Sequence, residues 1–238
     1  MKFSALLLIT ILVCSCKDHK ILRFRPPTNE IVDTCNSKPC LEEELKADPN
    51  NVDALWALGK IFQLENNYQK ALELFSKAIG IDSLFNYGYL YRDRANCKNN
   101  LHNDTGAIKD MDRAIHLDTG NADFYIDRAV YLYNVQELNI ALNDYSKALS
   151  INNNSLDARL GRAKVYVQLN KFEEALRDYM WISESKDYSA YDYYYRGIAR
   201  FKINQTDSAC SDWQKASVIC TEAKDSIEKN CNKVKGSR

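Results

Sequence analysis

Leu55-Trp56-Ala57-Leu58-Gly59-Lys60-Ile61-Phe62, followed by Ala71-Leu72-Glu73-Leu74-Phe75, decides the fold of this chain. Small Gly59 and Ala71 sit among large apolar residues at helical spacing. Two antiparallel helices approach closely only where small side chains cross and large ones fill the gap beside them. The pattern then recurs. Alanines fall at Ala71, Ala107, Ala141, Ala175 and Ala209, with gaps of 36, 34, 34 and 34 residues. Twelve residues before each stands Gly59, Ala95, Ala129, Ala163 or Gly197, and four after stands Phe75, Met111, Tyr145, Tyr179 or Trp213. A fixed period of this length is the signature of a helical repeat array.

This Leu-x-x-Leu-Gly-x-x-Phe and Ala-x-x-x-Phe arrangement resembles the tetratricopeptide repeat over about residues 52–223. The resemblance implies an all-α fold, an α-solenoid of about five helix-turn-helix repeats over 52–85, 88–121, 122–155, 156–189 and 190–223. A half-repeat cap is expected at 41–51, with Pro49 in its tail, and a capping helix with a basic tail at 224–238. The two extra residues after the first repeat fall around Phe85-Asn86-Tyr87, in an inter-repeat turn. All four prolines lie at or before Pro49, which leaves the rest of the chain open to nearly continuous helix.

A second periodicity runs through the array. Arg94, Arg128, Arg162 and Arg196 are 34 residues apart, and so are Asp110, Asp144, Asp178 and Asp212. The first repeat has Leu58 and Leu74 at these places and so loses both charges together. Pairing inside each repeat satisfies every pair, so partly buried Arg–Asp bridges between the two helices are expected. The alternative is a solvated charge face.

The N-terminus reads as an address. Lys2 precedes a short apolar run from Ala5 to Val13, too short to span a bilayer, and Lys17-Asp18 ends it. Val13-Cys14-Ser15-Cys16 resembles a bacterial lipobox, which implies a lipoprotein signal peptide at 1–15 and lipidation, such as palmitate, on Cys16. Residues 16–40 then read as a tether containing Pro26-Pro27. The expected location is the cell envelope, lipid-anchored in the membrane and facing the periplasm, at the outer membrane; the alternative is a secreted soluble chain.

Eight cysteines leave six once Cys14 is removed and Cys16 carries lipid. In an exported chain these point to disulfides. Cys210 and Cys231 flank a turn near Cys220 at similar distance, so antiparallel helices bring them together. Cys35 and Cys40 are the second candidate pair. The alternative is a set of reduced core thiols.

Lys+Arg and Asp+Glu are equal at 32 each, which gives no basic face for nucleic acid, so none is expected as a partner. His19, His102 and His116 are scattered, and there is no paired C-x-x-C, P-loop or G-x-S-x-G elbow. The sequence therefore points to no enzyme, no cofactor and no metal site. The resemblance instead implies a partner groove lined by the first helix of each repeat. Its expected contacts are Trp56, Lys60, Tyr89, Arg92, Asn96, Tyr133, Lys164, Tyr191, Tyr194 and Phe201; for each aromatic a core role is the alternative. Trp56, Asp93, Asp127 and Asp157 stand near the places where chaperone-binding relatives carry Lys or Asn, so a carboxylate clamp is not expected. The implied function is a membrane-anchored scaffold for protein–protein interaction that holds a segment of an envelope protein. The alternative is an accessory subunit of an assembly, signalling or polysaccharide-processing complex.

Overall fold

The computed structural model describes residues 37–183 and 189–231. Among them every regular element is helical. The expected signal, Cys16, the tether as far as residue 36 with Cys35, and the basic tail from residue 232 lie outside the described residues; Lys38–Cys40, expected at the end of the tether, instead form the first turn of a helix that Pro39 helps to start. The chain divides into two compact units, one ending at Asn86 and the other beginning at Tyr87.

In the first unit, α1 (Lys38–Ala47) packs on α2 (Val52–Leu64), which pairs with α3 (Tyr68–Ile81). Pro39 lies in the first turn of α1, where its missing N–H costs nothing. Asn51 and Asn67 cap α2 and α3 by accepting the backbone N–H of Ala54 and Lys70. Leu55, Leu58, Phe62, Ala71, Phe75 and Ala78 form the core between them.

The second unit holds α4 (Tyr89–Asn100), α5 (Asp104–Leu117), α6 (Ala122–Asn134), α7 (Leu138–Ile151), α8 (Leu156–Gln168), α9 (Phe172–Ile182), α10 (Ala190–Lys202), α11 (Thr206–Ala216) and α12 (Thr221–Asn230). Consecutive helices pair as α4–α5, α6–α7, α8–α9 and α10–α11. Each pair stacks on the next, and α8 also touches both α6 and α10. First helices thus form one layer and second helices another, the arrangement of an α-solenoid. The close crossings are real. A Cβ added to Gly161 would lie 2.2 Å from the Tyr145 ring, so α7 reaches α8 only because residue 161 has no side chain.

The turn inside every repeat has one backbone requirement that composition does not announce. Asn66, His102, Gln136, Asn170 and Asn204 all adopt φ between 57° and 64°. They occupy the same place in successive repeats, just past the end of the first helix. The left-handed region favours Asn among residues with a Cβ, because its short polar side chain bonds locally. His102 is thereby explained as a turn residue. At the start of the second unit Gly88 takes φ 102°, and a Cβ there would lie 2.9 Å from the Ala114 carbonyl oxygen.

The four periodic charge pairs close inside their own repeats. Arg94–Asp110, Arg128–Asp144, Arg162–Asp178 and Arg196–Asp212 each join a first helix to its second helix through two N–H···O bonds of 2.6 to 2.9 Å. The carboxylates are buried in all four. A bidentate guanidinium–carboxylate fork fixes both distance and rotation between two helices, which gives each repeat one register.

Candidate partner-binding face

Layering the first helices places the expected groove residues of the second unit on a shared face. Most of them are engaged with the neighbouring repeat. Arg92 Nε donates to Asp127 Oδ2 at 2.5 Å, and its Nη1 lies 3.7 Å from Asp123. Asn96 Oδ1 accepts the hydroxyl of Tyr131 at 2.7 Å. The Tyr89 hydroxyl accepts from Asn121 at 3.0 Å, while its ring meets Phe124 edge-on. The Tyr133 hydroxyl accepts from Gln168 at 3.2 Å, and Lys164 Nζ lies 5.9 Å from the Tyr195 ring centroid. Apart from the Tyr89–Asn121 bond, which reaches the residue that caps α6, each of these contacts reaches a residue of the following repeat. They set the rotation from one repeat to the next.

The electrostatics of this layer follow from burial. Burial pushes the Asp127 carboxyl up from its ordinary value against the pull of Arg92, with Asp123 and Asp93 adding to the rise. The Tyr131 hydroxyl is likewise raised, first by burial and then by Asp127. A protonated Tyr131 is what the bond to Asn96 needs, since its hydroxyl is the donor.

The last repeat differs. Tyr194 and Phe201 join Ile198, Ile227 and Cys231 around the buried Ala209, Trp213, Ala216, Cys220 and Ala223. The Phe201 ring is 5.5 Å from that of Trp213, and the Tyr194 carbonyl accepts the Trp213 indole N–H at 3.2 Å. These two residues therefore pack within the C-terminal cluster that α12 closes. Cys210 and Cys231 are joined by a disulfide, with their Cα atoms 5.8 Å apart, which ties α12 to α11. Cys97 and Cys220 are reduced thiols, both buried. Cys40 is disulfide-bonded, and its candidate partner Cys35 lies outside the described residues.

Two large apolar side chains remain presented to solvent on the first-helix layer of the second unit, among exposed polar residues that include Asp123, Asn134, Asp157 and Gln168. Val130 on α6 is 40% exposed and Tyr191 on α10 is 50% exposed. Between them Leu160, Lys164 and Val167 of α8 are half-buried. In the first unit, Trp56 is half-buried with its ring 5.9 Å from that of Phe85, and Lys60 is half-buried one turn further along α2. Among the described residues no group of His, Cys, Asp and Glu is placed to hold a metal ion. No described helix is long and apolar enough to cross a membrane.

The fold is that of tetratricopeptide-repeat proteins. The Tetratricopeptide repeat family model matches residues 36–84. Among solved structures, that of Pseudomonas aeruginosa pilF superposes with a TM-score of 0.70 at 18% identity, covering 81% of this chain and 88% of that one. A tetratricopeptide repeat protein from Parabacteroides merdae gives 0.65 at 20% identity, with 76% and 71% covered. YrrB, described as a TPR protein with an unusual peptide-binding site, gives 0.64 at 17% identity, with 76% and 92% covered. No curated protein sequence matches the chain significantly.

Proposed function

We propose that this chain is a non-catalytic scaffold that docks an extended or helical segment of a partner protein on the first-helix layer of its second unit. The observation that carries this reading is the pair of exposed side chains Val130 and Tyr191, with the partly buried Leu160 and Val167 between them around Lys164. Tyrosine and aliphatic side chains held by a rigid scaffold bury large area at small entropic cost. Inter-repeat bonds such as Gln168 to Tyr133 and Tyr131 to Asn96 hold the first helices in one arrangement, so the strip is presented in one shape. Binding of a peptide is described for YrrB, whose fold this chain shares. The lipobox at Val13–Cys16 supports anchoring through lipid on Cys16, with the repeats facing the periplasm of a bacterial envelope.

Photo-crosslinking in cells from positions 164 and 191 of the full chain tests the docking face. Position 143, exposed on α7 among the second helices, serves as control. One dominant protein adduct from both positions and none from the control is expected. Absence of adducts above the control overturns the assignment. For the anchor, Cys16→Ala is expected to abolish fatty-acid labelling and release the chain from the membrane fraction; retention with label unchanged overturns it.

A further inference from the structure

The fourth repeat breaks the array's own pattern at two places. The first-helix residue is Tyr91, Tyr125 and Tyr193 in the second, third and fifth repeats but Arg159 in the fourth. The second-helix residue 22 positions later is Arg113, Lys147 and Lys215 in those repeats but Trp181 in the fourth. Cation and aromatic have exchanged helices. The pair still meets: Lys215 Nζ lies 5.1 Å from the Tyr193 ring, and the Arg159 guanidinium 4.0 Å from the Trp181 ring.

A cleft of about 360 Å³ lies beside this exchange, between α8 and α9. It holds more donors than acceptors. Asp178 is already gripped by both arms of Arg162. Arg159 Nη1 stands off the same carboxylate at 3.7 Å, its Nη2 donates to the Asn153 carbonyl at 2.8 Å, and its Nε is buried without an acceptor among the described residues. Arg177, also lining the cleft, forms no ion pair among the described residues. On the outer ridge of α9, Arg177, Met180 and Trp181 fall at i, i+3 and i+4, with Met180 54% and Trp181 37% exposed. Three arginines against Glu174 and Asp178 leave the cleft one positive charge in excess.

We infer that this cleft is a second docking site, for an acidic side chain of a partner protein. Its carboxylate binds Arg159 and Arg177 while the adjoining apolar group lies on Trp181 and Met180. A planar, singly charged carboxylate matches the guanidinium geometry and the single excess charge. The two resident carboxylates oppose a phosphate dianion or a polyanion. The site is separate from the first-helix strip, since Arg159 and Arg162 point roughly 150° around α8 from Leu160 and Lys164 at 100° per residue.

The test uses an array of acetyl-capped nonapeptides in which every Asp- or Glu-containing member is paired with its Asn or Gln counterpart. Binding by the full chain is compared with that by the double variant Arg159→Tyr/Trp181→Lys, which copies the fifth repeat. A preference for the acidic members, lost by about tenfold or more in the double variant while its thermal midpoint is retained, is expected. Lys164→Ala is expected to keep the preference. Equal binding of acidic and amide peptides, an unchanged preference in the folded double variant, or saturation by inorganic phosphate instead of peptide overturns the inference. Should the double variant unfold, Arg177→Gln, on the exposed side of α9, decides the matter by the same comparison.

Discussion

Arg196 holds Asp212 by two nearly parallel bonds, Nε to Oδ2 at 2.9 Å and Nη2 to Oδ1 at 2.6 Å, and the Asp212 side chain is only 1% exposed. Arg200 adds a third bond to the same carboxylate at 2.8 Å. The aspartate is thus a buried junction between α10 and α11. Removing one charge strands the others. Asp212→Ala is expected to cost about 3–5 kcal/mol. Replacing Arg196 and Asp212 together by leucines, as the first repeat has with Leu58 and Leu74, is expected to recover part of that loss, since only Arg200 is then left without the carboxylate. Chemical denaturation of the single and double variants decides it; equal losses in both would show that the pair itself, not the stranded charge, carries the stability.

The intra-repeat turns supply a stabilising change. Gln136 holds φ 64°, a conformation costly for a long side chain and easy for glycine. Gln136→Gly is expected to raise stability by about 0.5–1 kcal/mol, and the same change at Asn170 by less, because asparagine tolerates the region better. A lower midpoint for Gln136→Gly counts against the strain argument.

The C-terminal helix depends on its covalent tie. Of α12, Ala223 is the one residue fully buried, so its apolar packing is slight. The Cys210–Cys231 disulfide closes a loop of 21 residues, and removing it by Cys210→Ser/Cys231→Ser is expected to cost about 3 kcal/mol. Hydrogen exchange should quicken first over 221–230 and the Tyr194 side of α10. Cys97 and Cys220, both fully buried, are expected to resist alkylation until the chain unfolds. Burial and the nearby Glu222 carboxylate push the Cys220 thiol up as well, which lowers its thiolate fraction.

Alkaline pH should weaken the second unit. Burial raises the Tyr131 and Tyr145 hydroxyls above the usual tyrosine value. A raised folded value means that the stability is fully present below the unfolded value, about pH 10. Above it the unfolded chain ionises first, and stability falls by up to about 1.4 kcal/mol per pH unit for each tyrosine. Thermal midpoints measured from pH 8 to 11 in the wild type and in Tyr145→Phe test this. The variant should show the shallower decline above pH 10, and parallel curves would remove Tyr145 from the account.

The sequence alone determined the repeat and its internal register. Periodic small residues such as Ala129 and Ala141 mark where two helices cross, and Arg128 and Asp144, 16 residues apart, face each other once the helices pair. These relations are set by helix periodicity and a short turn, both local. The left-handed turn residues were present in the sequence as a column of Asn66, His102, Gln136, Asn170 and Asn204, but the mixed side chains hid a requirement that belongs to the backbone. Only the tertiary structure decided which first-helix side chains remain available. Arg92 and Asn96 are committed to Asp127 and Tyr131, about 35 residues away, because the rotation between stacked repeats brings those atoms within bonding distance. Tyr194 and Phe201 pack in the cluster that α12 closes because a disulfide and a turn fold that helix back. The Arg159–Trp181 exchange is written in the sequence, yet the cleft that both residues line exists only where α8 and α9 pack, since a cavity is a property of neighbours in space.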